Sequence, residues 1–465
     1  MKPYIIETIV NNNLCIGCGL CAGLCPANAL RMEFNKYGEY NPVEITGCLK
    51  NCNLCLQICP FSENEENEGL LAKEIFSNTD GIKHRPETGY YLDSYVGYSN
   101  INNHRANGAS GGMATWILET LLKNNIVDHI LCVTPNENPE KLFRFAVFAN
   151  IDSIRHSAKS AYYPVEMSEV IKQIIKNESR YAIIGLPCFI KGLRLAQKKN
   201  NKLRNRIIVT IGLVCGQLKS KCYTRYLAEL SGIHGELKEV CFRGKDSDKP
   251  SSNFYFYSKN KNNNYNKIFF YEGVGKVWNN RWFTLRACNF CDDVFAEMAD
   301  VTVMDAWLPE YIEDSKGTNL IIVRSPLVYN LIKLGSKENQ IKIEHISINK
   351  IILAESGVLN IKRNQLAYRL YLAKQAGLII PTKSVTPSRK ISFLNKKEIE
   401  LKDKMQRLSK ELFLLYFNGE RADLTAFSKK IGNFVSKLEK WKHIARILRL
   451  PMRIIKKARR ILLGV

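Results

Sequence analysis

Fifteen cysteines stand in this chain of 465 residues, and eight of them fall between Cys15 and Cys59. The first four run Cys15-x2-Cys18-x2-Cys21-x3-Cys25-Pro26; the next four run Cys48-x3-Cys52-x2-Cys55-x3-Cys59-Pro60. Three thiolates at such short intervals wrap one iron–sulfur cluster, while the fourth, set off by three residues and a proline, reaches a second cluster. The pattern assigns Cys15, Cys18, Cys21 and Cys59 to one [4Fe–4S] cluster and Cys48, Cys52, Cys55 and Cys25 to the other. Zinc more often takes cysteine pairs set far apart. The chemistry expected here is single-electron transfer at low potential.

Residues 1–62 resemble a bacterial two-cluster ferredoxin module. One departure is the extra residue between Cys48 and Cys52.

Four more cysteines lie far downstream. Cys188 ends Gly185-Leu186-Pro187-Cys188, Cys215 follows Leu213-Val214, and Cys288 and Cys291 form a Cys-x2-Cys pair. The first two come just after β-branched, strand-like runs, and ligands bind at the strand ends of α/β sheets. Spacing alone leaves two readings: a third four-thiolate site, or buried structural cysteines. Cys132, Cys222 and Cys241 have no partner pattern and read as structural. The run from Arg105 to Gly112 ends in Ser110-Gly111-Gly112 before a helical segment, where small residues let backbone amides approach a phosphate. Alone it is an ordinary turn. It is joined by Lys159, Ser160 and Tyr162, by Arg243 and Lys245, and by Asp300 and Asp305 before Trp307. His104 and His156 lie near these motifs and read as core or surface histidines.

Taken together and in this order, the motifs from about Tyr95 to Leu378 resemble the beta subunits of coenzyme F420 hydrogenases and dehydrogenases. Plant 7-hydroxymethyl chlorophyll a reductase is similar in the same way. The resemblance implies an FAD-binding domain beside a third [4Fe–4S] cluster held by Cys188, Cys215, Cys288 and Cys291. It places Ser110, Gly111 and Gly112 on the FAD, with Lys159, Ser160, Tyr162, Arg243 and Lys245 as further contacts. For Asp300 and Asp305, loop capping and a flavin role stand level. Phe189 and Met304 stand where the family often has glutamine and glycine, so the family name does not give the substrate.

These residues need a scaffold. Alternation of strand-like runs (Ile126–Val133, Tyr181–Gly185, Arg206–Val214) with helix-like ones (Gly112–Leu122, Met167–Lys176, Cys222–Leu230) predicts an α/β domain with a mixed sheet. Residues Lys259–Lys267 predict an exposed hairpin or loop. The expected order is an α+β ferredoxin domain over 1–62, with strand-like runs such as Tyr4–Val10. A linker over 63–93 leads to the flavin and iron–sulfur domain over 94–380, and a basic, amphipathic helical tail covers 381–465.

The formal net charge is +24, and the segment from Lys383 onward alone carries 22 Lys/Arg against 7 Asp/Glu. In the tail, Trp441, Ile444, Ala445, Leu448, Met452, Ile455 and Leu462 recur at helical spacing, and Pro451 is expected to kink or break the helix. Two readings stand side by side: peripheral contact with an anionic membrane, densest at Lys456, Lys457, Arg459 and Arg460, or packing on the domain or another subunit. Nucleic acid is excluded because no binding motif accompanies the charge. No apolar run is long enough for a membrane span and no secretory signal is visible, so a cytoplasmic protein is expected.

The expected function is an iron–sulfur flavoprotein oxidoreductase. A ferredoxin-like or other low-potential donor supplies electrons through the clusters to FAD and on to a small-molecule substrate, with surface-polysaccharide biosynthesis as a plausible setting. The alternative is a non-catalytic electron-transfer subunit serving a partner oxidoreductase. A structural zinc protein is the third reading, opposed by the Cys-Pro endings. No catalytic residue, substrate or oligomeric state is named by the sequence.

Overall fold

A computed structural model describes residues 4–63, 66–101 and 103–463, with side chains up to Ile447. Its strands are β1 (Leu30–Phe34), β2 (Tyr40–Glu44), β3 (Lys83–Arg85), β4 (Gly89–Tyr91), β5 (Asp93–Ser99), β6 (His129–Pro135), β7 (Phe143–Phe148) and β8 (Tyr181–Gly185). Then come β9 (Ile207–Leu213), β10 (Leu237–Gly244), β11 (Tyr255–Asn260), β12 (Tyr265–Phe269), β13 (Val301–Asp305), β14 (Asn319–Val323) and β15 (Ile341–His345).

The large sheet has the order β15-β5-β14-β13-β9-β8-β6-β7. Its centre, β13-β9-β8-β6, is parallel, and both wings are antiparallel. The expected mixed sheet is therefore present. Even in the antiparallel wing, β14 (Asn319–Val323) is buried throughout, because both faces of the sheet are covered there. Helices Met113–Lys123, Ser168–Lys176 and Lys221–Leu230 fall where apolar spacing predicted them. The Asn/Lys-rich stretch is the turn joining β11 to β12, in the small antiparallel sheet β10-β11-β12.

The N-terminal unit is a β1–β2 hairpin with short helices Leu20–Gly23 and Leu54–Gln57. Tyr4–Val10 is helical rather than a strand. Ile5 and Ile9, four residues apart, are both buried, and that helical spacing outweighs the strand preference of Ile, Thr and Val. Thr8 Oγ1 donates to Tyr4 O and Asn12 Nδ2 to Thr8 O, which closes the turns locally.

No seam separates this unit from the sheet domain. Ile9, Leu20, Ile58 and Phe61 belong to one hydrophobic core with Ile171, Ile183, Phe189 and Leu193. Met167 N donates to Cys18 O at 2.9 Å. A Cβ on Gly192 would stand 2.6 Å from Leu20 Cδ1, so the two surfaces interlock. Between them, helix Glu68–Phe76 buries Glu68, Leu71, Ala72 and Phe76 in the same region.

At the other end, helices Phe393–Tyr416 and Leu424–Leu463 pack along each other. Met405, Phe413, Phe427, Ile431 and Leu438 share a core with Tyr226, Trp282 and Phe283. The first part of the tail thus packs on the domain. The final helix runs on across Pro451 instead of breaking there, since a proline forfeits one backbone donor while bonds on either side remain. The side chains of Lys456, Lys457, Arg459 and Arg460 lie outside the described residues. No helix among the described residues is long and apolar enough to cross a membrane.

Candidate iron–sulfur and flavin site

The two N-terminal cysteine runs cross over. Cys21 is an electrostatic neighbour of Cys18, Cys15, Cys59 and Cys55. Burial, first of all, pushes these thiols up, Cys18 to about 11 and Cys59 to about 12, so their deprotonated form awaits a positive partner. Gly17 N donates to Cys15 Sγ at 3.4 Å. Gly17 has φ 71°, and a Cβ there would stand 2.8 Å from Tyr40 Cβ, so only glycine closes this loop. Cys25, Cys48, Cys52 and Cys55 line a small cavity of about 20 Å³ with Cys21, Leu24, Pro26 and Leu54. The extra residue in the second run is taken up by a turn in which Cys52 N donates to Leu49 O and Asn51 adopts φ 61°.

The third group assembles at strand ends. Cys188 lies in the first turn of helix Pro187–Lys199, directly after β8, and Cys215 lies two residues past β9. Cys288 falls within the short helical turn Arg286–Phe290, and Cys291 directly follows it. Burial raises the Cys188 thiol, and Cys291, Cys215 and Cys288 raise it further, so all four are neighbours. Leu218 N donates to Cys288 Sγ at 3.2 Å, and Lys362 Nζ to Cys291 Sγ at 3.2 Å. The remaining cysteines stand apart: Cys132 is in the sheet core, Cys222 Sγ donates to Tyr37 O, and Cys241 lies in β10.

These donor sets fit multi-iron clusters. Each has four thiols and loop amides directed at sulfur, the ligation that such clusters take. Among the described residues, no three His, Cys, Asp or Glu side chains close on a point for a single metal ion.

The flavin candidates divide. Arg243 forms two hydrogen bonds with Asp305, both 3.0 Å, and donates to Tyr162 OH at 3.3 Å and Ala109 O at 3.4 Å. Its guanidinium lies 4.2 Å from the Phe254 ring centre and 5.3 Å from that of Trp307. Lys245 Nζ donates to Ser110 O, Lys316 O and Arg105 O, and burial lowers its ammonium to about 7. Ser110, Tyr162, Arg243, Lys245 and Asp305 are therefore one patch.

Gly111 and Gly112 adjoin that patch, but their missing side chains leave room for the protein itself: Asn319 crowds the first and His104 the second. Lys159, with φ 94°, and Ser160 make no side-chain hydrogen bond among the described residues. Asp300 accepts from Thr210 N, Thr210 Oγ1 and Arg194, which ties β13 to β9 as a cap would. His104 is a core residue bonded to Ser99 and Glu119, and His156 is exposed.

Two regions of the chain, residues 94–172 and residues 178–348, match the N-terminal and C-terminal parts of the family described as "Coenzyme F420 hydrogenase/dehydrogenase, beta subunit". The chain belongs to this F420 hydrogenase/dehydrogenase beta-subunit family. Residues 8–31 match a 4Fe-4S binding domain, so the family's sheet domain here follows an iron–sulfur unit. Among relatives of this beta-subunit chain, the F subunit of the F(420)H(2) dehydrogenase of Methanosarcina mazei is 23% identical over 223 residues, 46% of this chain and 56% of that one. The coenzyme F420-dependent sulfite reductase of Methanocaldococcus jannaschii is 26% identical over 367 residues, 74% of this chain and 50% of that one. The chain thus spans about half the length of each. An uncharacterized ferredoxin of Methanocaldococcus jannaschii is 36% identical over 55 residues, 12% of this chain and 70% of that one. A chain of the F420-reducing [NiFe] hydrogenase complex from Methanosarcina barkeri aligns with 62% of this chain and 96% of its own length, at 13% identity and TM-score 0.49.

The structure also adds members to the site that motif reading passes over. Lys219, Arg281 and Lys362 lie buried around the Cys288–Cys291 pair. Glu68, Lys191, Lys383 and Asp292 form a buried ion group beside Cys59 and Cys291. Each stands in an ordinary stretch of sequence with no spacing signal.

Proposed function

We propose that this beta-subunit-family protein is an iron–sulfur flavoprotein oxidoreductase that carries electrons from a low-potential, ferredoxin-like donor to a small-molecule substrate. The observation that carries the reading is an alignment of strand ends. β8, β9 and β13 are consecutive strands in the parallel centre, with Val303 opposite Leu213 and Gly185 opposite Gly212. Cys188, Cys215 and Asp305 therefore stand at the same, carboxyl end of three adjacent strands, where open α/β sheets hold their ligands.

Cys15, Cys18, Cys21 and Cys59 would hold one cluster, Cys25, Cys48, Cys52 and Cys55 a second, and Cys188, Cys215, Cys288 and Cys291 a third. Bound there, [4Fe–4S] clusters supply one-electron transfer and FAD supplies the exchange between one and two electrons. The chain's own residues do the positioning. Asp305 fixes the Arg243 guanidinium by a two-point bond, 4.2 Å from the Phe254 ring centre and 5.3 Å from that of Trp307, so that its positive charge would face a group bound at this patch. Lys245 braces the loop at Ser110, and Leu218 N orients the Cys288 sulfur.

A second reading is an electron-transfer subunit serving a partner oxidoreductase; it is favoured by the match to a chain named as part of a dehydrogenase. Iron, acid-labile sulfide and extracted flavin on anaerobically purified protein test the main reading. About twelve iron, twelve sulfide and one FAD per chain are expected from three four-iron clusters; about eight iron and no flavin overturns it. Substrate turnover by the isolated protein, with reduced viologen as donor and surface-polysaccharide precursors as the first screen, separates enzyme from electron carrier.

A further inference from the structure

Lys219, Arg281 and Lys362 are exposed by only 2%, 3% and 3%. Among the described residues, none forms an ion pair with a carboxylate, although buried lysines elsewhere in the chain do. Lys219 Nζ donates only to neutral oxygens, Trp282 O at 2.8 Å, Thr284 Oγ1 at 3.1 Å and Gln217 Oε1 at 3.3 Å. Arg281 Nη2 donates to Asn289 Oδ1 at 3.0 Å, and its buried Nε has no partner. Lys362 Nζ divides its bonds between Asp293 O and Cys291 Sγ. A buried cation without an anion is strongly disfavoured: burial pushes Lys219 and Arg281 down from their ordinary values, and negative charge nearby acts against that, as it does for Lys362. Cysteine is the group common to all three: Lys219 faces Cys288, Arg281 faces Cys288 and Cys215 besides Asp403, and Lys362 faces Cys291 and Cys215 besides Asp293.

The first N-terminal set has different surroundings. Glu39 bears on Cys15 and Glu166 on Cys18, while Lys191 bears on Cys59. Glu39 is itself paired with Lys410. Reduction adds a negative charge, so nearby cations raise a cluster's potential and nearby carboxylates lower it.

We propose that Lys219, Arg281 and Lys362 are positioning residues that set the third cluster's reduction potential above that of the Cys15/Cys18/Cys21/Cys59 cluster, making the strand-end site the place where electrons collect. The inference rests on the three-cluster reading above. With clusters held by both cysteine sets, the electron gained at the third would be the one lost at the N-terminal set, the low-potential ferredoxin-like donor would replace it, and no bond would be made or broken.

The test is an anaerobic redox titration of the holoprotein followed by electron paramagnetic resonance, in wild type, Lys219→Met, Lys362→Met and Lys362→Arg. In each methionine variant the third cluster should titrate more negative. At fixed potential its reduced-to-oxidised ratio should fall about tenfold, about 59 mV for one electron. The N-terminal signals should not move, and Lys362→Arg should restore most of the shift. Lys219 touches no cysteine, so its variant tests the charge even if Lys362→Met assembles poorly. Unmoved midpoints in Lys219→Met at full iron content overturn the inference. About eight iron in the wild type would instead overturn the three-cluster reading.

Discussion

Lys383 Nζ lies 2.7 Å from Glu68 Oε1, a contact between residues 315 positions apart. The same carboxylate oxygen accepts from Lys191 at 2.9 Å, and Lys383 stands 3.7 Å from Asp292. Lys383 also donates to Pro60 O, and Ser384 N to Asp292 Oδ2. Two cations and two carboxylates thus close a buried group that clamps three cysteine-bearing segments: Cys59–Pro60, Cys188–Lys191 and Cys291–Asp292.

Breaking one partner of such a group is costly. Lys383→Met leaves Asp292 without its cation and should destabilise the protein by about 3–5 kcal/mol. Denaturant unfolding of the anaerobic holoprotein measures it. A loss below about 1 kcal/mol would mean that water or a local shift satisfies the carboxylates.

The crossover of the cysteine runs predicts which iron goes with which thiol. Cys59→Ser should remove the cluster of Cys15, Cys18 and Cys21, whereas Cys25→Ser should remove that of Cys48, Cys52 and Cys55. Each should lose about four irons per chain, with different resonance signals lost in the two variants. Loss of the same signal from both would refute the assignment.

The Arg243–Asp305 pair should govern flavin retention. Arg243→Lys keeps the charge and gives up the planar two-point bond, so flavin per chain should fall severalfold at unchanged iron. Asp305→Asn should act in the same direction. Wild-type flavin content in both variants would place the flavin elsewhere.

Acid stability should depend on Glu119. Burial alone would raise this carboxyl; hydrogen bonds from His104 at 2.7 Å and Arg155 at 2.7 and 2.9 Å overcome that and hold it at about 2, below its ordinary 4.5. The unfolded chain therefore takes up the proton first, so the contribution is complete above about 4.5 and is lost as pH falls toward about 2. Melting temperature against pH should show a shallower acid limb in Glu119→Gln, from a lower starting value. Parallel limbs would refute it.

The sequence made the cysteine runs legible because cluster ligation demands short, fixed spacings, and the strand runs at Tyr181–Gly185 and Arg206–Val214 because β-branched residues cluster there. Tyr4–Val10 misled because its composition favours a strand while Ile5 and Ile9 favour a helix, and composition was the louder signal. The strand order was hidden, since a β-branched run does not reveal its neighbours. Lys219, Arg281 and Lys362 were hidden for a related reason. Buried and solvated lysines look alike in a sequence, and these three come from segments that meet only after the sheet has formed. Glu68 sat in what read as a linker, with its two lysines 123 and 315 residues away.

The interlocking of Leu20 with Gly192, and of Cys18 with Met167, bears on kinetics. A mobile carrier must release one partner before meeting the next, so its speed includes a search. On the proposed function the carrier is built into its acceptor, and diffusion would end once a donor meets the N-terminal unit. Below saturation, turnover should scale with donor concentration, while dilution should leave every later transfer within the chain untouched.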